Sequence, residues 1–228
     1  MEVREGEGEG RGEGPGELGP LPGGHHGLSR EQILESQRER LLAAVAHEVA
    51  ARGYRATTIT EIVKFASVST RDFYELFDGK EDCFLAAFDA VHDHVAELIS
   101  TSAASEPDWP HQVIAALRAV LGFFAAEPDL ARLCLVESVS ATPRIAIHFR
   151  EAVLTGVSAL ARGRAELADP DSMLPEAESS IIGGAVSLAT RSILAGDTEK
   201  LPELLPDLAD FVLSPYLGAG RAAAIAAS

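Results

Sequence analysis

The chain has 228 residues, 46% of them apolar, and carries 19 basic against 35 acidic side chains, a formal charge of −16. That length and apolar share suit one large domain or two small ones with real cores, and they exclude a wholly disordered chain. The charge excludes a protein that clings to polyanions by bulk attraction, and without an apolar run of roughly 18 residues there is no candidate membrane span.

Aromatic residues are few, and alanine and leucine dominate the apolar set. Both lose little on entering a helix, so helices are expected over strands. The two cysteines, Cys83 and Cys134, form no dense framework and follow no secretory signal. The expectation is free thiols in a reducing, cytoplasmic setting. Charge is uneven: residues 1–28 sum to −4, residues 29–80 to 0 and residues 81–228 to −12.

Residues 1–28 hold ten of the 20 glycines in a GEGEGRGEGPGELGP pattern with little to bury, and disorder is expected there. No strand precedes these glycines and no GK[ST] follows, which argues against a phosphate loop. His25 and His26 in this tail make no metal motif. From Ser29 the pattern is helical almost throughout. A first helix is expected over 32–52, with Leu41, Leu42, Val45 and Val49 as its apolar stripe and Gly53 as its stop.

Residues 58–77 read as two short capped helices. Thr58-Ile59-Thr60-Glu61 fits a capping box, and Ser69-Thr70-Arg71-Asp72 fits a second one eleven residues on. Helices this short do not stand alone. Ile59, Ile62, Val63, Val68, Phe73 and Phe77 supply the surface that packs them on the first helix. The result is a three-helix unit ending in a helix-turn-helix, whose second short helix enters the DNA major groove by its N-terminal residues. Arg71 suits a bidentate contact to guanine, and Ser69 and Thr70 suit base edges. Thr58, Lys64, Tyr74 and Lys80 are the expected phosphate and backbone contacts. An ordinary capped helical subdomain is the bland alternative to this DNA-binding assignment.

A long helix is expected over 80–100, then helices over 111–126, 129–140, 142–167, 176–195 and 199–216, with a tail from 218 to 228. Phe88, His92, Trp109, Phe123, Phe124, Leu133, Glu137, Phe149 and Thr190 are the candidate lining of a pocket among the middle helices. Gly183, Gly184, Leu188, Leu201, Leu204, Leu205, Leu208 and Val212 are the candidate dimer surface on the last two long helices; filling the protomer core is the alternative for them. His92-Asp93-His94 places its histidines two apart on a helix, on different faces, so no metal site is expected. No catalytic constellation stands out, and neither an enzyme nor a cofactor is expected.

The stretch AAVAHEVAARGYRATTITEIVKFASVSTRDFYELFDGKEDCFLAAF resembles the N-terminal domain of the TetR family of bacterial transcriptional regulators. The shared elements are GY before the first cap, T-T-x-x-x-I, A-x-V-S, F-Y-x-x-F and K-E-D. Weaker similarity continues through FFAAEPDLARLCLVES and IIGGAVSLATRSILAGDTEKLPELLPDLADFVLSPYLG. The resemblance implies an all-α fold: a three-helix DNA-binding domain over 29–79, then a larger helical effector-binding and dimerisation domain over 80–217. It also implies a homodimer on a palindromic double-stranded operator, and repression relieved by a small molecule. A helical-bundle enzyme and a DNA-free interaction module on the same fold are the rival readings. Two positions depart from the family pattern: Ser67 stands where glycine is usual in the turn, and Asp72 where threonine is common.

Overall fold

The computed structural model describes residues 29–226 and is all-helical, with no strand among them. Eleven α-helices follow in order: α1 Arg30–Arg52, α2 Ile59–Ala66, α3 Thr70–Leu76, α4 Lys80–Ala104, α5 Trp109–Ala126, α6 Pro128–Leu135, α7 Pro143–Leu154, α8 Val157–Ala161, α9 Ala177–Ala195, α10 Leu205–Leu217 and α11 Ala219–Ala226. The Gly/Glu-rich segment and its His pair lie outside the described residues.

α1 starts at a capping box in which the Ser29 hydroxyl accepts from the Gln32 amide and the Gln32 side chain accepts from the Ser29 amide. It ends at Gly53, whose φ of 83° is open to glycine but strained for other residues. Leu41, Val45 and Val49 from its inner face are fully buried against Ile62 and Phe73 of α2 and α3. Each such side chain contributes about 1.5–3 kcal/mol on leaving water, and this burial holds two helices of eight and seven residues in place. The same apolar cluster runs on through Phe84 and Phe88 of α4, Leu133 of α6 and Ile193 of α9. The three-helix head and the larger helical part therefore share one core.

Several helix boundaries differ from the sequence expectation; the helix expected over 199–216, for one, opens as a 3-10 segment, Thr198–Leu204, before α10. The helix expected over 129–140 stops at Leu135 and tightens into a 3-10 turn, Glu137–Val139. There the Ser138 hydroxyl donates to the Cys134 carbonyl, and the Thr190 hydroxyl donates to the Leu135 carbonyl at 3.0 Å. Side chains thus take over carbonyls that a further turn of helix would have used. The helix expected over 142–167 breaks at Thr155-Gly156, where amides bond back three residues, and becomes α8 and then a 3-10 segment, Arg162–Glu166. This folding-back lays Gly163 on Trp109, so close that an added Cβ would sit 2.3 Å from the indole. Finally, residues 219–226, expected as a tail, form α11. Gly218 turns the chain with φ 76°, and the small Ala222 side chain is fully buried with Ile114, Ala209 and Leu213.

Candidate nucleic-acid interface and effector cavity

The reading head is assembled from caps. The Thr58 hydroxyl accepts from the Glu61 amide, while the Glu61 carboxylate accepts from the Thr58 amide at 2.9 Å, completing the first capping box. Those hydrogen bonds hold the Glu61 carboxyl below the usual carboxylate range, with Arg52 adding to the effect. The second box is only half made. Ser69 accepts from the Asp72 amide at 3.1 Å, but the Asp72 carboxylate accepts from Gln37 of α1 at 3.3 Å instead of returning to Ser69. Glu75 likewise pairs with Arg30. Both acids of α3 are therefore tied back to α1, while Ser69, Thr70, Arg71 and Tyr74 remain exposed. Arg71 has no ion pair among the described residues.

The turn between α2 and α3 is a Schellman motif. The Ser67 amide bonds to Lys64 O, the Val68 amide bonds to Val63 O at 3.0 Å, and Val63 and Val68 are both buried. Ser67 is left-handed at φ 52°, ψ 43°, a conformation that a Cβ disfavours. Arg40 of α1 secures the turn by donating to Ala66 O at 3.0 Å and Ser67 O at 3.3 Å.

Lys80 has more work than a backbone contact alone. Its ammonium donates to Tyr54 O at 2.6 Å and Thr57 O at 2.7 Å, and lies 4.2 Å from the centre of the Tyr54 ring. Partial burial lowers its pKa, with Glu61 opposing the shift. An ammonium has three donors, so one remains for a phosphate. Thr57, not singled out in the sequence, is buried with its hydroxyl on Glu48 O and Gly53 O. The loop 53–57 is thereby fastened from α1 and α4, and from a third direction by Glu137. That carboxylate accepts from the Tyr54 amide at 2.9 Å.

A cavity of about 520 Å³ lies among α4, α5, α7 and α9, within the usual size of a small-molecule site. Of the residues named from the sequence, Phe88, His92, Phe124 and Phe149 line it, beside Val95, Leu117, Val120 and Ala185. Five expected residues do not. Trp109 is turned onto Tyr216, 4.9 Å between ring centres, and donates to Ala159 O. Phe123 packs beside His94. Leu133 is fully buried in the shared core, Glu137 faces the α1–α2 loop, and Thr190 bonds to Leu135 O and Val186 O. In each case helical spacing gave the helix but not the side of it that faces the void.

Most residues of the expected dimer surface pack within the protomer. Leu201, Leu208 and Val212 are buried in the protomer, Leu208 being 2% exposed. Leu188, Leu204 and Leu205 are half-buried against the core. Gly184 packs on Phe211, whose ring would lie 2.7 Å from an added Cβ. Among the residues that α9 and α10 turn outward are Gly183, Ser187, Leu194 (60% exposed) and Phe211 (41%).

Cys83 and Cys134 are free and buried, and burial pushes the Cys83 thiol up to about 12, so neither is poised as a nucleophile. Among the described residues no group of three His, Cys, Asp or Glu could hold a metal ion, and no helix is long and apolar enough to cross a membrane.

A capped two-helix turn held on a third helix, with hydroxyls and one unpaired arginine at the start of the outer helix, defines a helix-turn-helix protein. Residues 41–87 match the family model for bacterial regulatory proteins of the tetR family. It is 30% identical over 100 residues to the uncharacterized HTH-type transcriptional regulator YdgC of Bacillus subtilis (strain 168). That match covers 42% of this chain and 51% of YdgC, so the chain spans about half the length of that curated relative. Among solved structures, the fold is similar to the fatty acid degradation regulator FadR from Bacillus halodurans (TM-score 0.69, 18% identity, 77% of this chain and 97% of that one). It is also similar to FadR from Bacillus subtilis in complex with stearoyl-CoA (TM-score 0.67, 15% identity, 79% and 98%). These relatives are regulators, not enzymes.

Proposed function

We propose that the protein is a sequence-specific DNA-binding transcriptional regulator, a repressor that leaves a palindromic double-stranded operator when a small-molecule effector fills the cavity. The observation that carries this reading is the α3 face: Ser69, Thr70, Arg71 and Tyr74 exposed together, with Asp72 and Glu75 drawn back onto α1. Arg71 reads a base edge, Thr70 a second base or a thymine methyl, and Thr58, Lys64, Tyr74 and the free N–H of Lys80 meet phosphates. The acidic remainder of the chain disfavours non-specific binding, so selectivity rests on few contacts and on dimer geometry. The homodimer forms through the outward faces of α9 and α10, around Gly183, Ser187, Leu194 and Phe211. Two heads then face half-sites about 34–36 Å apart, or a multiple of it.

The effector acts on two arms. α4 lines the cavity and begins at Lys80, which holds the α1–α2 loop. α6 contributes Cys134 and Leu135 to the lining, and Glu137 lies two residues beyond its end. A ligand that binds the two arrangements unequally shifts the spacing of the heads by that difference alone. The stearoyl-CoA of the Bacillus subtilis structure shows that one protein of this fold takes a long acyl compound, in keeping with the apolar lining here.

Selection of bound duplexes from a random pool tests the reading. A palindrome with a fixed half-site spacing is expected, and Arg71→Ala should lose about 1–3 kcal/mol of discrimination at one base pair per half-site. Recovery of no preferred sequence by the intact dimer would overturn the assignment.

A further inference from the structure

We infer that the cavity takes an amphiphilic anion, its hydrocarbon tail buried between the helices and its negative head held at Arg162. This deepens the effector reading and rests on it. The first observation is one of composition. The chain has 35 acidic residues, yet not one lines the cavity. A cationic group carried into the cavity would meet no carboxylate there, and an unpaired charge is costly out of water.

The second observation is the state of the polar groups that do line it: His92, Gln112, Cys134, Thr155 and Arg162. The Thr155 hydroxyl donates to Ala152 O at 2.6 Å, and the Gln112 amide donates to Glu106 O at 3.4 Å. The Cys134 thiol is buried and protonated, its pKa raised by burial. His92 stacks on Phe88, 6.5 Å between ring centres. Arg162 alone carries a fixed charge, and its guanidinium makes no ion pair or hydrogen bond among the described residues.

Topography supplies the third observation. The lining residues that reach the surface are Ala96, Ile99, Thr155, Ala159 and Arg162, whereas Phe124, Cys134, Leu135, Ala189 and Leu208 are buried in the protein core. The cavity therefore opens beside Arg162 and ends among apolar side chains. A tail enters to that depth while the head stays hydrated and meets the guanidinium, whose planar fork suits carboxylate or phosphate oxygens.

Titration calorimetry of the full chain with four ligands of one tail, below their micelle concentrations, tests this. Oleate and oleyl phosphate should bind at least about tenfold more tightly than oleyl alcohol or oleylamine, the factor one charge-assisted contact supplies. The two anions separate a carboxylate head from a phosphate head by their rank. Arg162→Gln should remove the preference over the alcohol, and Arg162→Glu should turn it toward the amine. Because Arg162 is exposed, both variants should keep the fold. Equal binding of oleate and oleyl alcohol by the parent protein, or an unchanged ratio in Arg162→Gln, would overturn the proposal. Anion binding that depends on Arg162 but leaves operator affinity unchanged upholds the ligand class and removes the effector role. Operator release by an amine, with no anion bound, does the reverse.

Discussion

Replacing Glu137 by alanine probes the join between the cavity and the reading head. The carboxylate accepts from the Tyr54 amide at 2.9 Å, and its side chain is largely buried beside Arg132, 3.8 Å away. A hydrogen bond to a charged group contributes about 1.5–3 kcal/mol, and its loss leaves the amide of buried Tyr54 without that acceptor. The cleft around it, bounded by Arg52, Arg55 and Ser140, opens to solvent, so water partly replaces the lost acceptor. The expected cost is therefore at the low end, about 1.5 kcal/mol, or roughly 3–6 °C in Tm for a chain of this size. Glu137→Gln keeps a neutral acceptor and should recover about half of that loss. Urea unfolding gives the stability change. Operator titration with and without a cavity ligand gives the coupling, which should shrink in Glu137→Ala more than basal affinity does. A variant with parental unfolding midpoint and parental ligand response would refute the reasoning at both levels.

Ser67→Gly should stabilise the protein by about 0.5–1 kcal/mol, because the left-handed penalty of roughly 1–2 kcal/mol exceeds glycine's extra chain entropy of roughly 0.5–1 kcal/mol. A lower urea midpoint would contradict the strain assigned to φ 52°. Glu178 is 2% exposed and its carboxylate pairs with Arg164 at 2.7 and 2.9 Å, and that hydrogen bonding lowers its pKa. A lowered folded-state pKa gives stability that is complete above the ordinary carboxylate pKa and fades as pH falls through the folded value. Glu178→Gln should therefore unfold more readily at neutral pH and show a flatter acid limb, read from urea midpoints against pH. Leu208→Ala should cost about 2–5 kcal/mol of stability as a core truncation. Phe211→Glu should keep the fold but convert dimer to monomer in sedimentation experiments. The opposite pattern would return Leu208 to the interface.

The sequence by itself determined what is local. Capping at Thr58 and Ser69, the glycine stop at Gly53 and the apolar stripe of α1 depend on neighbours within a turn or two. The same short-range pattern carried the family resemblance, and with it the helix-turn-helix and the exposed Ser69-Thr70-Arg71 start of α3. Tertiary structure decided which partner each side chain met. Asp72 could have returned to Ser69, but Gln37, 35 residues away, took it. Lys80 was legible as a cation at a helix start, whereas its hold on Tyr54 O and Thr57 O required the loop 53–57 to fold beneath it. Glu137 looked like a pocket residue until α6 stopped at Leu135 and the following turn rotated it toward Tyr54. Leu208 and Phe211 lie three apart on α10, yet one is in the core and the other outside, because packing against α5 and α9 fixes the helix rotation. Periodicity shows that a helix has an apolar face; only the neighbouring helices decide where that face ends.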